Sequence, residues 1–161
     1  MTPAPKEVLE ALTTGIQNEV ASYVFYVTAA KRDIAAEFKE ILERLAREER
    51  EHFQILERQY DSLVRSEKWI STADILKQKG LPEIGEDMSS QHKELLNQIA
   101  AADSMQSLLE TALRLEEDAA DLYANAAAKA DSPEGKNMFQ RLVKFEEGHQ
   151  RTIKEMLAKS A

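Results

Sequence analysis

Two Glu-x-x-His motifs carry the most chemically specific side chains of this sequence, EREH at residues 49–52 and EEGH at residues 146–149. Residues three positions apart lie on the same side of an α-helix, so each motif presents a carboxylate and an imidazole together. Carboxylate oxygens combined with imidazole nitrogens suit iron or manganese. A single motif of this kind arises by chance on acidic helices, so the surrounding pattern must decide its meaning.

The two motifs belong to an internal repeat with a shift of 97 residues, the separation of Glu49 and Glu146. The shift aligns the two halves of the chain without a gap. It also superimposes Glu19 on Glu116, Tyr26 on Tyr123, Lys39 on Lys136, Arg44 on Arg141, Leu45 on Leu142 and His52 on His149. An internal repeat is a fold-level signal, but the polar residues that it preserves require a chemical reason of their own.

Helical periodicity dominates the chain and predicts four long helices, at about 5–31, 34–63, 104–130 and 132–159. Within residues 64–103 we expect a short helix ending at Gly80, a loop over 81–90 and a helical piece over 91–100. Trp69 is expected to anchor this connection to the helices. The sequence therefore predicts an all-α four-helix bundle, with antiparallel helix pairs 5–63 and 104–159 joined by a crossover in a single domain, 1–161.

Each long helix places one glutamate on its apolar stripe. At about 100° per residue, Glu49 shares its face with Leu42, Leu45 and Leu56, and His52 follows one turn along. Glu19, Glu116 and Glu146 occupy the same place on the other three helices, with His149 one turn after Glu146. Four buried carboxylates repel one another and each loses several kcal/mol of solvation. Because no lysine or arginine lies on these stripes, two divalent metal ions are the expected counter-charges.

The alternative interpretation is a solvated acidic helix surface with incidental histidines. The alignment with the apolar stripes and the preservation by the repeat favour metal ligands instead. The neighbouring Glu48, Glu117 and Glu147 are expected to be surface or rim charges, and His92 a surface residue of the crossover.

At these motifs, and at NEVASYVFY (18–26) and LEEDAADLY (115–123), the chain resembles the rubrerythrin branch of the ferritin-like superfamily. The resemblance covers about 8–60 and 105–157. It implies a di-iron carboxylate centre, with manganese or zinc as substitutes, whose ligands are Glu19, Glu49, His52, Glu116, Glu146 and His149. It implies that Glu49 and Glu116 bridge the metals, that Tyr26 and Tyr123 hydrogen-bond ligand carboxylates, and that the protein is a homodimer.

Two features depart from that family. Rubrerythrins proper carry a rubredoxin domain with four cysteines, whereas this chain has no cysteine. The resemblance therefore implies a separate, rubredoxin-like electron-donor protein. An extra glutamate of rubrerythrins, one turn after the third-helix ligand, is replaced by Ala119, which makes the ligand set more like that of bacterioferritin. We do not expect a ferritin storage shell, because the sequence beyond the fourth apolar stripe is too short for the fifth helix of those shells.

Three functions are consistent with this pattern. The first is reduction of hydrogen peroxide by a non-haem di-iron centre. The second is ferroxidase or iron-handling activity with O₂ or peroxide as oxidant, which Ala119 favours. The third, of a different class, is a metal-stabilised helical interaction module. We place peroxide reduction first.

Composition excludes several other classes. A net charge of −8 disfavours binding to a nucleic-acid backbone. The absence of cysteine rules out thiolate metal sites and disulfides in these 161 residues. No apolar run approaches the roughly 20 residues of a membrane span, and the N-terminal segment lacks the features of a signal peptide. We therefore expect a cytoplasmic protein that does not contact membranes.

Overall fold

The described residues of the computed structural model, 5–89 and 91–160, form helices and connections without any β-strand. Four helices are long: α1 (Lys6–Ala29), α2 (Lys39–Ser66), α6 (Met105–Lys129) and α7 (Pro133–Ser160). Three short ones lie between α2 and α6: α3 (Thr72–Leu76), α4 (Glu86–Ser89) and α5 (Lys93–Ala101). The predicted all-α class is confirmed.

Local side chains define where the long helices begin and end. The Ser104 hydroxyl accepts a hydrogen bond from the backbone N–H of Ser107 at 3.1 Å and so caps α6. Ser132 caps α7 in the same way, through the N–H of Gly135 at 3.0 Å, with Pro133 as the first helical residue. At the other end of α2, Glu67 adopts left-handed backbone angles and terminates the helix.

The long helices pack as neighbours of opposite direction. Helix α1 packs against α2 and α6, and α6 packs against α7. Tyr26 of α1 contacts Glu116 of α6. Glu19 precedes Tyr26 in α1, and its partner Tyr123 follows Glu116 in α6, so the two helices run antiparallel. Helix α7 meets α2 at the imidazole of His149. The second and third long helices are therefore parallel, as predicted for two antiparallel pairs joined by a crossover.

Two apolar clusters divide the bundle interior along its length. One contains Phe25, Leu42 and Leu45, together with Leu109 and Ile153. The other is built from apolar residues closer to the opposite end of the bundle, namely Leu12, Leu56, Tyr123, Phe139 and Leu142. Each fully buried Leu or Phe stabilises the fold by about 1.5–3 kcal/mol. The buried glutamate of each long helix lies between these two clusters, and the packing on both sides holds its side chain in place. These glutamates are Glu19, Glu49, Glu116 and Glu146.

The structure differs from the sequence prediction in three places, two of them in the crossover. The short helix ends at Leu76 and does not reach Gly80 as predicted. Gly80 lies beyond the helix with a left-handed φ of +68°. The segment expected to be loop contains α4. The second long helix, expected from residue 34, is preceded by a 3₁₀ turn over Asp33–Phe38, and α2 begins at Lys39. The α5 helix agrees with the predicted helical piece at 91–100.

Buried polar contacts attach the crossover to the bundle. The Gln59 side chain, only 1% exposed, accepts from the Ile70 N–H at 3.1 Å and donates to the Ile70 carbonyl. The neighbouring Trp69 ring packs edge-to-face on Phe139 with ring centroids 6.4 Å apart. The predicted anchoring role of Trp69 is therefore confirmed. None of the helices in the described ranges is long and apolar enough to span a membrane.

We predict that Gly135→Ala destabilises the protein. A Cβ at Gly135 would lie 2.6 Å from Cζ2 of the Trp69 indole, so this anchor must shift. Overpacking of this kind lowers the free energy of unfolding by about 1–3 kcal/mol. Gly148→Ala is the matched control, because its Cβ would meet only the end of the Arg151 side chain at 3.5 Å and alanine is the better helix former. Urea titrations of both variants provide the measurement, and equal stabilities would contradict the prediction.

Candidate metal centre

Six side chains from the four long helices meet between the two apolar clusters. Helices α1 and α6 contribute one glutamate each, and α2 and α7 contribute one glutamate and one histidine each. The exposed fractions are 1% for Glu19, 0% for Glu49, 4% for His52, 0% for Glu116, 0% for Glu146 and 6% for His149. The structure thus brings together all six residues predicted as ligands, and their binding of metal stays a prediction.

The six residues form two overlapping groups. Glu19, Glu49, His52 and Glu146 make up the first group, and Glu49, Glu116, Glu146 and His149 the second. In each group the potential ligand atoms lie within 4.8 Å of one another. Two adjacent cation positions with a shared pair of carboxylates fit this arrangement.

The shared pair differs from the pair that the resemblance to rubrerythrins implied, Glu49 and Glu116. Glu49 and Glu146 belong to both groups, whereas Glu116 belongs to only one. The geometry therefore favours Glu146, and not Glu116, as the partner of Glu49 between the two positions. The repeat could have revealed this, because its 97-residue shift relates Glu49 to Glu146 and Glu19 to Glu116. Only the first of these pairs lies on the two helices that also carry histidine.

Both imidazoles turn the Nδ1 atom towards the carboxylates. His149 Nδ1 lies 2.8 Å from Glu49 Oε1 and 3.4 Å from Glu116 Oε1. His52 Nδ1 lies 2.9 Å from Glu146 Oε1, although without the alignment of a hydrogen bond. The rings stack with centroids 5.7 Å apart. The atoms available to a metal are thus the two Nδ1 nitrogens.

Two buried tyrosines hold the carboxylates of the opposite helix. Tyr26 on α1 donates to Glu116 Oε1 at 2.6 Å, and Tyr123 on α6 donates to Glu19 Oε1 at 2.5 Å. Burial, together with the negative charge of the partner carboxylate, raises the pKa of each phenol well above its usual value. Both therefore remain hydrogen-bond donors at neutral pH. The predicted contacts of Tyr26 and Tyr123 with ligand carboxylates are confirmed.

Several buried polar atoms of the cluster have no hydrogen-bond partner. They are Oε2 of Glu19, Glu49 and Glu116, both carboxylate oxygens of Glu146, and Nδ1 of His52. In folded proteins nearly all buried polar atoms are paired, so unpaired atoms that converge on one point require an explanation. All six belong to groups with the geometry of a cation site, and metal coordination would satisfy them together.

The charges inside the cluster shift the pKa values of its carboxylates in opposite directions. Burial and repulsion from the other carboxylates raise the pKa of Glu49 and Glu146 well above the usual range. Burial also acts on Glu116, but its interactions with the neighbouring Glu146, His149 and Glu49 outweigh burial and lower the pKa of Glu116 to about 2. The carboxylates likewise raise the pKa of both imidazoles, against the effect of burial. In the absence of metal, the cluster is therefore stabilised by bound protons.

Among the three neighbouring acidic residues, Glu117 and Glu147 are exposed, as expected of surface charges. Glu48 differs, because its Oε2 lies 3.5 Å from Nε2 of His149. Glu48 was expected to be a surface or rim charge, and its contact with His149 has no signal in the sequence because the two residues lie on different helices. His92 is half-buried at the start of α5 and does not belong to either group.

Comparison with known families agrees with this geometry. The family model described as Rubrerythrin matches residues 107–161. This stretch contains Glu116, Tyr123, Glu146 and His149 and covers most of the second helix pair. The rubrerythrin-like character expected from the motifs is therefore confirmed over this part of the chain. Searches of curated proteins and of solved structures found no match.

We predict that the wild-type chain binds two Fe(II) ions and that Glu49→Ala or His149→Ala greatly reduces this stoichiometry. Both side chains face the cluster, so their removal takes away ligands of one or both positions. The matched control is Glu51→Ala, which removes an exposed carboxylate from the same helix. Anaerobic Fe(II) loading followed by iron analysis gives the stoichiometry. A loss in Glu51→Ala as large as that in Glu49→Ala would show that the faces of α2 are misassigned.

A second prediction concerns protons. Metal ligands must be deprotonated, and the raised pKa values of Glu49, Glu146 and both imidazoles mean that protons compete with metal at neutral pH. Metal affinity should therefore increase with pH, and loading should release protons. Calorimetric titration with Zn²⁺ in two buffers of different ionisation enthalpy measures this release. Identical heats in the two buffers would contradict the prediction.

Proposed function

We propose that this rubrerythrin-like chain is a non-haem di-iron redox protein that reduces hydrogen peroxide with electrons from an external donor protein. The observation that carries the proposal is the convergence of unpaired, fully buried carboxylate and imidazole atoms into two groups with shared glutamates. The match to the rubrerythrin family supports iron as the metal. Oxygen-rich sites with two imidazoles suit this metal.

Two ferrous ions held there would supply the two electrons that, with two protons, convert one hydrogen peroxide molecule into two molecules of water. The chain's own part is to bind and orient. Glu19 with His52 and Glu116 with His149 would hold the two metals separately, and Glu49 and Glu146 would hold both. The apolar clusters on either side keep bulk water away from the carboxylates, which strengthens electrostatic attraction within the site.

The tyrosines keep this ligand set in order. Each hydroxyl holds a proton at Oη and donates a hydrogen bond to one glutamate oxygen, which leaves the other oxygen, Oε2 of Glu19 or Glu116, available to a metal. Such contacts fix ligand orientation and tune the metal. Tyr26 and Tyr123 are also the hydroxyl groups nearest to these carboxylates and are suited to deliver protons towards them.

The proposed electron donor is an external, rubredoxin-like protein, as the resemblance to rubrerythrins implies. A cytoplasmic homodimer completes the proposal. The family resemblance supports the dimer, and the peroxide chemistry requires a compartment that supplies reducing equivalents.

A second candidate is ferroxidase activity, in which Fe(II) is the substrate and O₂ or peroxide the oxidant. The observation that favours it is Ala119, which follows Glu116 by one turn and is 2% exposed within the apolar cluster around Tyr123. A methyl group at this position offers no additional carboxylate for a ligand exchange. The six-ligand set then resembles that of bacterioferritin.

Stopped-flow oxidation distinguishes the two functions. The protein is loaded anaerobically with two Fe(II) per chain and mixed with equimolar H₂O₂ or O₂. A peroxidase reacts faster with H₂O₂ and stops when its own iron is oxidised, unless a reductant is added. A ferroxidase instead continues to oxidise added Fe(II).

Glu49→Ala reports the background reaction of unbound iron, and Glu51→Ala should behave like the wild type. An oxidation rate no higher than that of Glu49→Ala with both oxidants would contradict both redox functions. It would leave a helical interaction module as the remaining interpretation.

A further inference from the structure

At one of the positions where the two halves of the internal repeat differ, the residue of each half contacts a histidine of the candidate centre. The 97-residue shift that aligns His52 with His149 places Phe145 at the position of Glu48. Each of these residues contacts the histidine of the other half. Glu48 Oε2 lies 3.5 Å from His149 Nε2, whereas the Phe145 ring centroid lies 5.2 Å from that of His52. One histidine therefore has a carboxylate beside it where the other has a phenyl ring.

The carboxylate is on the outer side of the imidazole. His149 directs Nδ1 to the glutamates of the cluster and leaves Nε2 towards Glu48. The carboxylate contacts of His52, with Glu19, Glu49 and Glu146, all involve Nδ1. When one imidazole nitrogen binds a metal, a carboxylate at the other nitrogen orients the ring and makes it a stronger ligand.

The Glu48 side chain also has a charged partner on its own helix. Its second oxygen, Oε1, lies 3.8 Å from Arg44 Nε one turn earlier on α2. The side chain is 38% exposed, so it links the outer nitrogen of His149 to the surface. Phe145 is 44% exposed and brings no charge or hydrogen-bond acceptor to His52.

We propose that Glu48 is a positioning residue that makes the two metal positions unequal, so that the Glu116–His149 position binds metal more tightly than the Glu19–His52 position and fills first. This inference rests on the proposed di-iron function. The tighter position has an imidazole with a fixed orientation and one additional negative charge nearby. The weaker position has the corresponding inner ligands, and the residue that matches Glu48 there is Phe145, whose ring brings no charge to His52.

The test is anaerobic calorimetric titration of the full chain with Co²⁺, used as a stable substitute for Fe(II). Wild type should show two binding steps of different affinity. His52→Ala leaves the His149 position intact, and in this background Glu48→Gln should weaken binding about 10–100-fold. In the His149→Ala background, which retains only the His52 position, Glu48→Gln should leave the affinity unchanged.

Two further variants control for charge. Glu51→Gln makes the same charge change at an exposed position of α2 and should leave both steps unchanged. Phe145→Glu gives His52 the carboxylate that the repeat lacks there, and should strengthen the weaker step. A Glu48→Gln effect that is absent, or equal in both single-histidine backgrounds, would overturn the inference. If wild type and Glu51→Gln bind no metal, the proposed function itself fails.

A spectroscopic signature separates positioning from general stability. In the Co²⁺-loaded protein, the Nε2–H protons of both ligand histidines give paramagnetically shifted NMR signals. The His149 signal should exchange with solvent more slowly than the His52 signal, because its proton is held by Glu48. Glu48→Gln should accelerate that exchange and leave the His52 signal unchanged. Equal exchange rates in the wild type would contradict the proposal.

Discussion

The burial of four carboxylates at one level of a helical bundle is the constraint on which the rest of this structure depends. Glu19, Glu49, Glu116 and Glu146 are each at most 1% exposed and are close enough to repel one another. Among the described residues, their ion-pair partners are the two imidazoles, with no lysine or arginine. Such a cluster persists only with cations or bound protons, so it is the most specific functional feature of the molecule.

The surrounding fold is organised to hold this cluster. Apolar clusters at both ends of the bundle supply the packing energy that offsets the loss of carboxylate solvation. The tyrosines cross between α1 and α6, so each half of the repeat hydrogen-bonds a carboxylate of the other half. The site therefore belongs to the interface between the two helix pairs, and neither pair can form it alone. The crossover, held by Gln59 and Trp69, joins the pairs in the required relative direction.

The positions that the internal repeat preserves and the positions where its halves differ affect the cluster in different ways. The repeat duplicates the inner ligands, and the structure accordingly gives two similar groups with a common glutamate pair. Glu48 and Phe145 occupy matching positions of the repeat but differ in chemical type, and each contacts a histidine of the cluster. A difference at this position does not remove a ligand but changes how a histidine is oriented. Ala119 is a departure of another kind, since it concerns which further carboxylates are present. The chemical differences between the two halves, and between this chain and rubrerythrins, thus lie at residues other than the six predicted ligands.

The sequence by itself determined the helical class, the pairing of the long helices and the six convergent polar residues. The physical reason is that helical periodicity and an internal repeat are local or one-dimensional properties, readable without knowledge of distances. The repeat already relates Glu49 to Glu146, but only the tertiary structure places this pair in both groups and brings Glu48 to His149. Both depend on how side chains of different helices approach one another. Helix geometry within a single segment cannot specify that approach.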